Sequence, residues 1–343
     1  MKFSRTILAL MTIFTVFSTA AAGPVTLRIA TVAPDGSSFH KSLQQLNQQW
    51  SKAPGGGVSL AIYTQGKQGS EAQIASRMRA GSIQGAMLTA NGLGQLDKDA
   101  TALQLMPMMF RSWEEVDHVR EALRARLEQG LYDAGYVVIF WGDAGWVRFF
   151  SRSPIEHPAD LKRMRVYADG GDPVTLDLMR EYYTPVPLAP HDIQLSLRNG
   201  TIDAIPVPAF LANLLQVAQF APNMLDMRWV PIAGAMVVTR KSFDALPAET
   251  REYMLRTGRE AGAEIRRQAR AEDDAAVEAM RTKQKLNVVP FPPALEQEWR
   301  KELARLSPQI RGQIVPADIF DRVGAALQDY RSHAPAGLAR AED

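Results

Sequence analysis

Strands and helices alternate from Val25 onward, and that alternation limits the fold more than any other property of the chain. "VTLRIATVA", Val25 to Ala33, is a run of strand length rich in β-branched residues. "PDGSSFHKSLQQLNQQWSKA" follows with Phe39, Leu43, Leu46 and Trp50 at helical spacing, and Pro54-Gly55-Gly56-Gly57 stops it. "VSLAIYT" makes a second strand. Gly69-Ser70 then opens the helix "EAQIASRMRA", with Ser70 as N-cap and Gly81 as terminator, and Ile83 to Ala90 is a third strand. Such β-α-β repeats form a parallel sheet with helices on both faces, and these sheets bind ligands at the carboxyl ends of their strands. Those ends are Thr31 to Asp35, Gln65 to Ser70 and Thr89 to Gly92.

A second series begins after "GYVVIFWGDAG". "MRVYA" is a strand, Asp172-Pro173 opens the helix "VTLDLMREYY", and "HDIQLSLRNG" is a helix stopped by Asn199-Gly200. "IDAIPVP" and "GAMVVT" are further strands, and "LNVVPF" is one more before a terminal helical region. Between them, Pro247 to Lys285 is a long polar helical stretch dense in Arg and Glu, read as a solvated helix laced with i,i+4 pairs.

The chain starts with a targeting pattern. Lys2 and Arg5 precede an apolar run from Ile7 to Phe17, and Ala20 and Ala22 form the A-x-A arrangement of a cleavage site, so removal after Ala22 is expected. The run is too short to span a bilayer. Lys and Arg number 39 against 37 Asp and Glu, without a basic block, which argues against nucleic-acid binding. The absence of cysteine excludes disulfides, thiolate chemistry and cysteine-ligated metal. An exported chain of this size without disulfides suits a bacterial periplasm.

Enzyme motifs are missing. His40, His118, His157, His191 and His333 lie far apart without metal-ligand spacing, and no nucleophile elbow or phosphate-binding loop occurs. His40 and His191 read as helix-start residues. This pattern favours binding over catalysis.

The order of blocks resembles the substrate-binding proteins of TRAP transporters, the DctP-type family, over essentially the whole mature length. "TLRIATVAPDGSSFH", "GSEAQIASRMRAGSIQGAML", "LQLMPMMFRSWEEVDHV", "PADLKRMRVYA", "VPLAPHDIQLSLRNGTIDAIPVP" and "VVTRKSFDALPAETREYM" carry the resemblance. It implies an α/β, two-lobed periplasmic binding protein fold of type II-like form, with a hinge and a long bridging helix. Residues 1–22 are then the signal peptide, 23–143 plus about 232–275 the first lobe, and 144–231 plus about 276–343 the second. It further implies no cofactor, a small organic acid as ligand, and TRAP-type membrane permease subunits as partners.

In most of the family, the arginine of a "k-i-R-v" block clamps the ligand carboxylate, and the resemblance assigns that role to Arg165. A planar, permanently charged guanidinium suits a bidentate carboxylate. The bottom-up alternatives are an exposed strand residue or an ion pair with Asp169, Asp172 or Asp203. A second family arginine follows the hinge; gapless comparison puts Trp146 there, with Arg148 two residues on. Val207 stands where an asparagine often contacts the carboxylate. Tyr167 and Trp146 are expected as walls, with Trp141 and Phe149 read as core. Thr89 and Asn91 form the facing wall, and Asp35 to Ser38 either present backbone N–H groups to an anion or simply cap a helix. The replacement of polar contacts by apolar ones implies a carboxylate with a substantial apolar part. Binding of a hydrophobic or lipid-like ligand without the clamp, or handing of the liganded form to a sensory receptor, remains open.

Overall fold

The computed structural model describes residues 25–169, 173–189 and 192–333. The expected signal segment, the Asp172 cap and the His191 helix start lie outside the described residues.

The first lobe starts β1 (Val25–Thr31), α1 (Ser38–Trp50), β2 (Val58–Tyr63), α2 (Glu71–Arg79) and β3 (Gly85–Thr89), with β1 pairing in parallel with both β2 and β3. The helical phases follow the sequence pattern: α1 buries Phe39, Leu43, Leu46 and Trp50. At the head of α2, Ser70 and Gln73 form a reciprocal capping box. A short α3 (Ala90–Leu93), a 3-10 turn (Lys98–Leu103) and α4 (Trp113–Asp133) lead into the 16-residue β4 (Tyr136–Ser151).

β4 belongs to both lobes. The second lobe adds α5 (Pro158–Lys162), β5 (Arg165–Asp169), α6 (Pro173–Met179), β6 (Thr184–Leu188), α7 (Ile193–Asn199), β7 (Ala204–Pro208), α8 (Ala209–Leu214) and β8 (Asn223–Leu225). β9 (Pro231–Thr239) returns to the first lobe between β3 and β4, giving the strand order β2-β1-β3-β9-β4-β7-β5-β6. The first half of β4 pairs antiparallel with β9, and its end pairs with β7 and β8. One continuous strand therefore carries the chain across the junction.

After α9 (Arg240–Asp244), α10 (Ala248–Lys283) runs 36 residues, about 54 Å of helix. It is polar but not merely a solvated helix. Thr257, Gly258, Gly262, Ile265, Ala269, Asp273, Ala276 and Met280 form a buried stripe at steps of one to four residues. Glycine is needed where the helix crosses β4: a Cβ on Gly262 would sit 2.6 Å from the Phe140 Cβ. Ile265 and Ala269 pack into the first lobe's core, Ala276 and Met280 into the second's.

The chain ends in β10 (Asn287–Val289), α11 (Pro293–Gln309) and α12 (Ala317–His333). The expectation that 276–343 belongs wholly to the second lobe needs correction. Trp299 and Leu303 of α11 pack there beside Phe149 and Trp229, but Ile319, Val323 and Leu327 of α12 join Val116, Val119 and Leu123 of α4 in the first lobe. No helix among the described residues is long and apolar enough to cross a membrane.

Candidate functional site

The junction is built around two acidic residues. Where β4 crosses, Asp143 is buried, with Arg120 Nη1 at 2.5 Å and Arg270 Nε at 2.9 Å; Arg270 also donates to Asp117 at 2.8 Å through Nη1. Arg270 further lies 4.6 Å over the Trp113 ring. Burial works against ionisation of Asp117, yet Arg270 and Arg120 keep its carboxyl below the ordinary range. Three residues further along α10, Asp273 is 1% exposed and accepts from the Trp146 N–H at 3.1 Å, the Arg148 Nη1 at 2.8 Å and the Phe210 N–H at 3.2 Å. The register of β4 against β9 slips between Asp143 and Trp146. Gly145 sits at that bulge with φ +97°, and a Cβ there would be 2.6 Å from the Asp273 carboxyl carbon. α10 thus grips the crossing strand on both sides of its bulge.

On the second lobe's sheet, Arg148 lies directly opposite Val207. Opposed residues of antiparallel strands share a face. Tyr167 packs against the cluster that contains Ile205, Val207 and Ala276. The structure therefore brings together three of the expected ligand residues: Arg148, Val207 and Tyr167. Arg148 is 5% exposed and spends one edge on Asp273; its Nε is buried without a partner, and its Nη2 has no hydrogen bond to another described residue. Burial, then the nearby Asp169 carboxylate, pushes the Tyr167 hydroxyl well up, so it stays a donor. That hydroxyl, too, has no hydrogen bond to another described residue.

The facing wall comes from the first lobe. Thr89 caps α3 by accepting from the Gly92 N–H, and its hydroxyl donates to Glu71 Oε2 at 2.6 Å, while its own N–H donates to Glu71 Oε1 at 2.7 Å. Burial raises the Glu71 pKa to about 6, the Thr89 bonds oppose the rise, and Asp169 adds to it from the second lobe. Ser70, Glu71, Asn91 and Gln95 enclose with Asp169 a space of about 10 Å³, room for roughly one water. Phe39 of α1 and Phe210 of α8 also touch across the lobes, with ring centroids 5.7 Å apart. The loop before α1 is occupied by its own cap: Gly36 N–H donates to His40 Nδ1 at 3.0 Å, and the His40 backbone N–H donates to Ser37 Oγ at 3.4 Å.

Two expected residues lie elsewhere. Arg165 begins β5, four residues or about 13 Å from its carboxyl end at Asp169, and forks onto Asp203 through Nε at 2.9 Å and Nη2 at 2.8 Å. Laid gaplessly on "p-x-D-L-k-G-l-k-i-R-v" from Asp160 and Leu161, the family arginine falls on Tyr167, and Arg165 takes the preceding lysine position. Trp146 is 1% exposed and packs against Trp113 in the first lobe, with centroids 4.8 Å apart. The indole is taken up by Trp113, with the Arg228 guanidinium 5.7 Å over its ring, so Trp146 is packed and not free to line a cleft. Sequence reading missed Asp273, Phe39 and Phe210. The four-residue step Ala269–Asp273, continuing Ile265–Ala269, was the available signal for Asp273.

Comparison with known proteins gives a consistent picture. The profile "Bacterial extracellular solute-binding protein, family 7" matches residues 29–312. The chain is 23% identical over 270 residues to the 2,3-diketo-L-gulonate-binding periplasmic protein YiaO of Escherichia coli, covering 76% of this chain and 80% of that protein. Among solved structures, the sugar acid binding protein DctPAm of Advenella mimigardefordensis with galactonate is similar at TM-score 0.81 and 16% identity, covering 90% and 99% of the two chains. A TRAP periplasmic solute-binding protein of Ralstonia eutropha with bound (S)-2-acetolactate is similar at TM-score 0.80 and 17% identity, covering 89% and 99%.

Proposed function

The chain belongs to the bacterial extracellular solute-binding proteins of family 7, the DctP family, and from that premise we propose that it captures a small organic acid with an apolar part between its lobes. It acts in the periplasm and passes the acid to a TRAP-type membrane permease. The observation that carries the reading is the buried, unpaired edge of Arg148. Its guanidinium is held from one side by Asp273, leaving Nε and Nη2 as two parallel donors in a nearly dry setting. Tyr167 adds an O–H donor on the same face, and Val207 offers an apolar surface beside it. A carboxylate on the Arg148 edge, with its hydrocarbon against Val207, satisfies the buried Nε. Related proteins with bound galactonate and acetolactate support an acidic solute.

Binding and closure are one event in this scheme. Asp273 joins the crossing strand, the bridging helix and the start of α8, so fixing Arg148 on a ligand also fixes the junction. The test is a thermal-shift screen of organic acids on wild type and Arg148→Lys. Lysine preserves the charge facing Asp273 but has no second edge. An acid that stabilises the wild type is expected to bind the variant roughly 30-fold to 150-fold more weakly, a loss of about 2–3 kcal/mol. Equal shifts for both proteins refute the assignment.

A further inference from the structure

A second concave site lies where the two cores meet near the chain's end. Met106, Ile310 and Phe320 approach it from the first lobe's core, and Met108, Leu303 and Arg300 from the second's. The cavity is about 180 Å³, slightly more than the ~150 Å³ void known to admit benzene. None of these residues belongs to the carboxyl ends of the strands. The methionines are soft and adapt to flat or irregular apolar shapes. Met108 is held at φ +52°, with its N–H donating to Trp229 O at 2.7 Å, a left-handed conformation that a non-glycine residue adopts only under constraint.

The neighbourhood is basic and has one charge to spare. Arg300 is satisfied by Glu296 and by the Met108 carbonyl at 2.9 Å. Arg331 is satisfied by Glu115 and by the Met109 carbonyl at 2.9 Å. Arg111, two residues beyond Met109, has no hydrogen bond or ion pair from its side chain to another described residue. Arg111 is exposed at the rim beside the groove, and partial desolvation, then the fields of Arg331 and Arg300, lowers its pKa against the opposing pull of Glu115 and Glu296, so an anion placed there relieves repulsion as well as gaining a partner.

We propose that this groove is a second ligand site, separate from the interlobe cleft, for a compact apolar anion of about the size of a benzoate. The ring fills the Met106–Phe320 cavity and the carboxylate turns to Arg111. The probe is 4-fluorobenzoate followed by fluorine NMR. Saturable binding is expected in the wild type and, unchanged, in Arg148→Lys, which separates this groove from the cleft reading. Arg111→Gln and the neutral probe 4-fluorotoluene each weaken it about tenfold. Ala304→Trp, which puts an indole over the groove from an exposed position of α11, abolishes it. Absence of saturable binding in the wild type, or binding undiminished in Ala304→Trp, overturns the proposal, as does loss in Arg148→Lys alone.

Discussion

Replacing Asp273 with alanine tests how the junction is held. The carboxylate is 1% exposed and accepts from a buried guanidinium and two backbone N–H groups, on Trp146 and Phe210. Removing one member of a buried ion pair costs about 3–5 kcal/mol, because the other charge stays desolvated. Two orphaned N–H donors add about 1 kcal/mol each when partly reached by water. The pieces share one void and do not sum fully, so Asp273→Ala should lose about 4–6 kcal/mol. Urea unfolding followed by tryptophan fluorescence measures it. The double variant Asp273→Ala with Arg148→Leu removes the stranded charge and should recover about 2–3 kcal/mol. A single-variant loss below about 1 kcal/mol, or a double variant less stable than the single, would refute the placement of the buried pair.

Three further outcomes follow from the same geometry. Arg165→Ala should leave both the unfolding midpoint and acid binding unchanged, since the half-exposed guanidinium, at the start of β5 and away from the strand's carboxyl end, is taken up by Asp203; a hundredfold loss of affinity, read by titration calorimetry, restores Arg165 as the clamp. Gly145→Ala forces a Cβ onto the Asp273 carboxyl at positive φ and should cost about 2–3 kcal/mol in urea unfolding; a neutral effect contradicts the bulge geometry. Glu71, raised from 4.5 to about 6 by burial, holds its proton more tightly folded than unfolded, so stability should fall as pH rises from about 4.5 to 6, by about 2 kcal/mol. Glu71→Gln should remove that slope, and a slope common to both proteins assigns it to other groups.

Much of the fold was legible because local rules and tertiary packing agree there. α1's apolar spacing, Ser70's cap and the β-branched β1 to β3 all read directly into the first lobe's sheet. The proposed site was legible only in part. Arg148, Val207 and Tyr167 were named, but that Arg148 stands opposite Val207 depends on strand register, which composition does not show. Trp146 looked available because it follows a glycine turn; the indole's direction is set by Trp113, 33 residues earlier. Asp273 hid in a run of charges whose helical face is decided by what packs on it, and α12's choice of lobe rests on packing with α4, far away in sequence.

A crystal structure of the mature protein purified with its retained solute tests the Arg148 clamp directly. The expected density is a carboxylate within hydrogen-bond reach of Arg148 Nε and Nη2, with Tyr167 donating to the same ligand and Asp273 still bonded to Nη1. A ligand held by Arg165, or one that leaves the Arg148 edge empty, contradicts it.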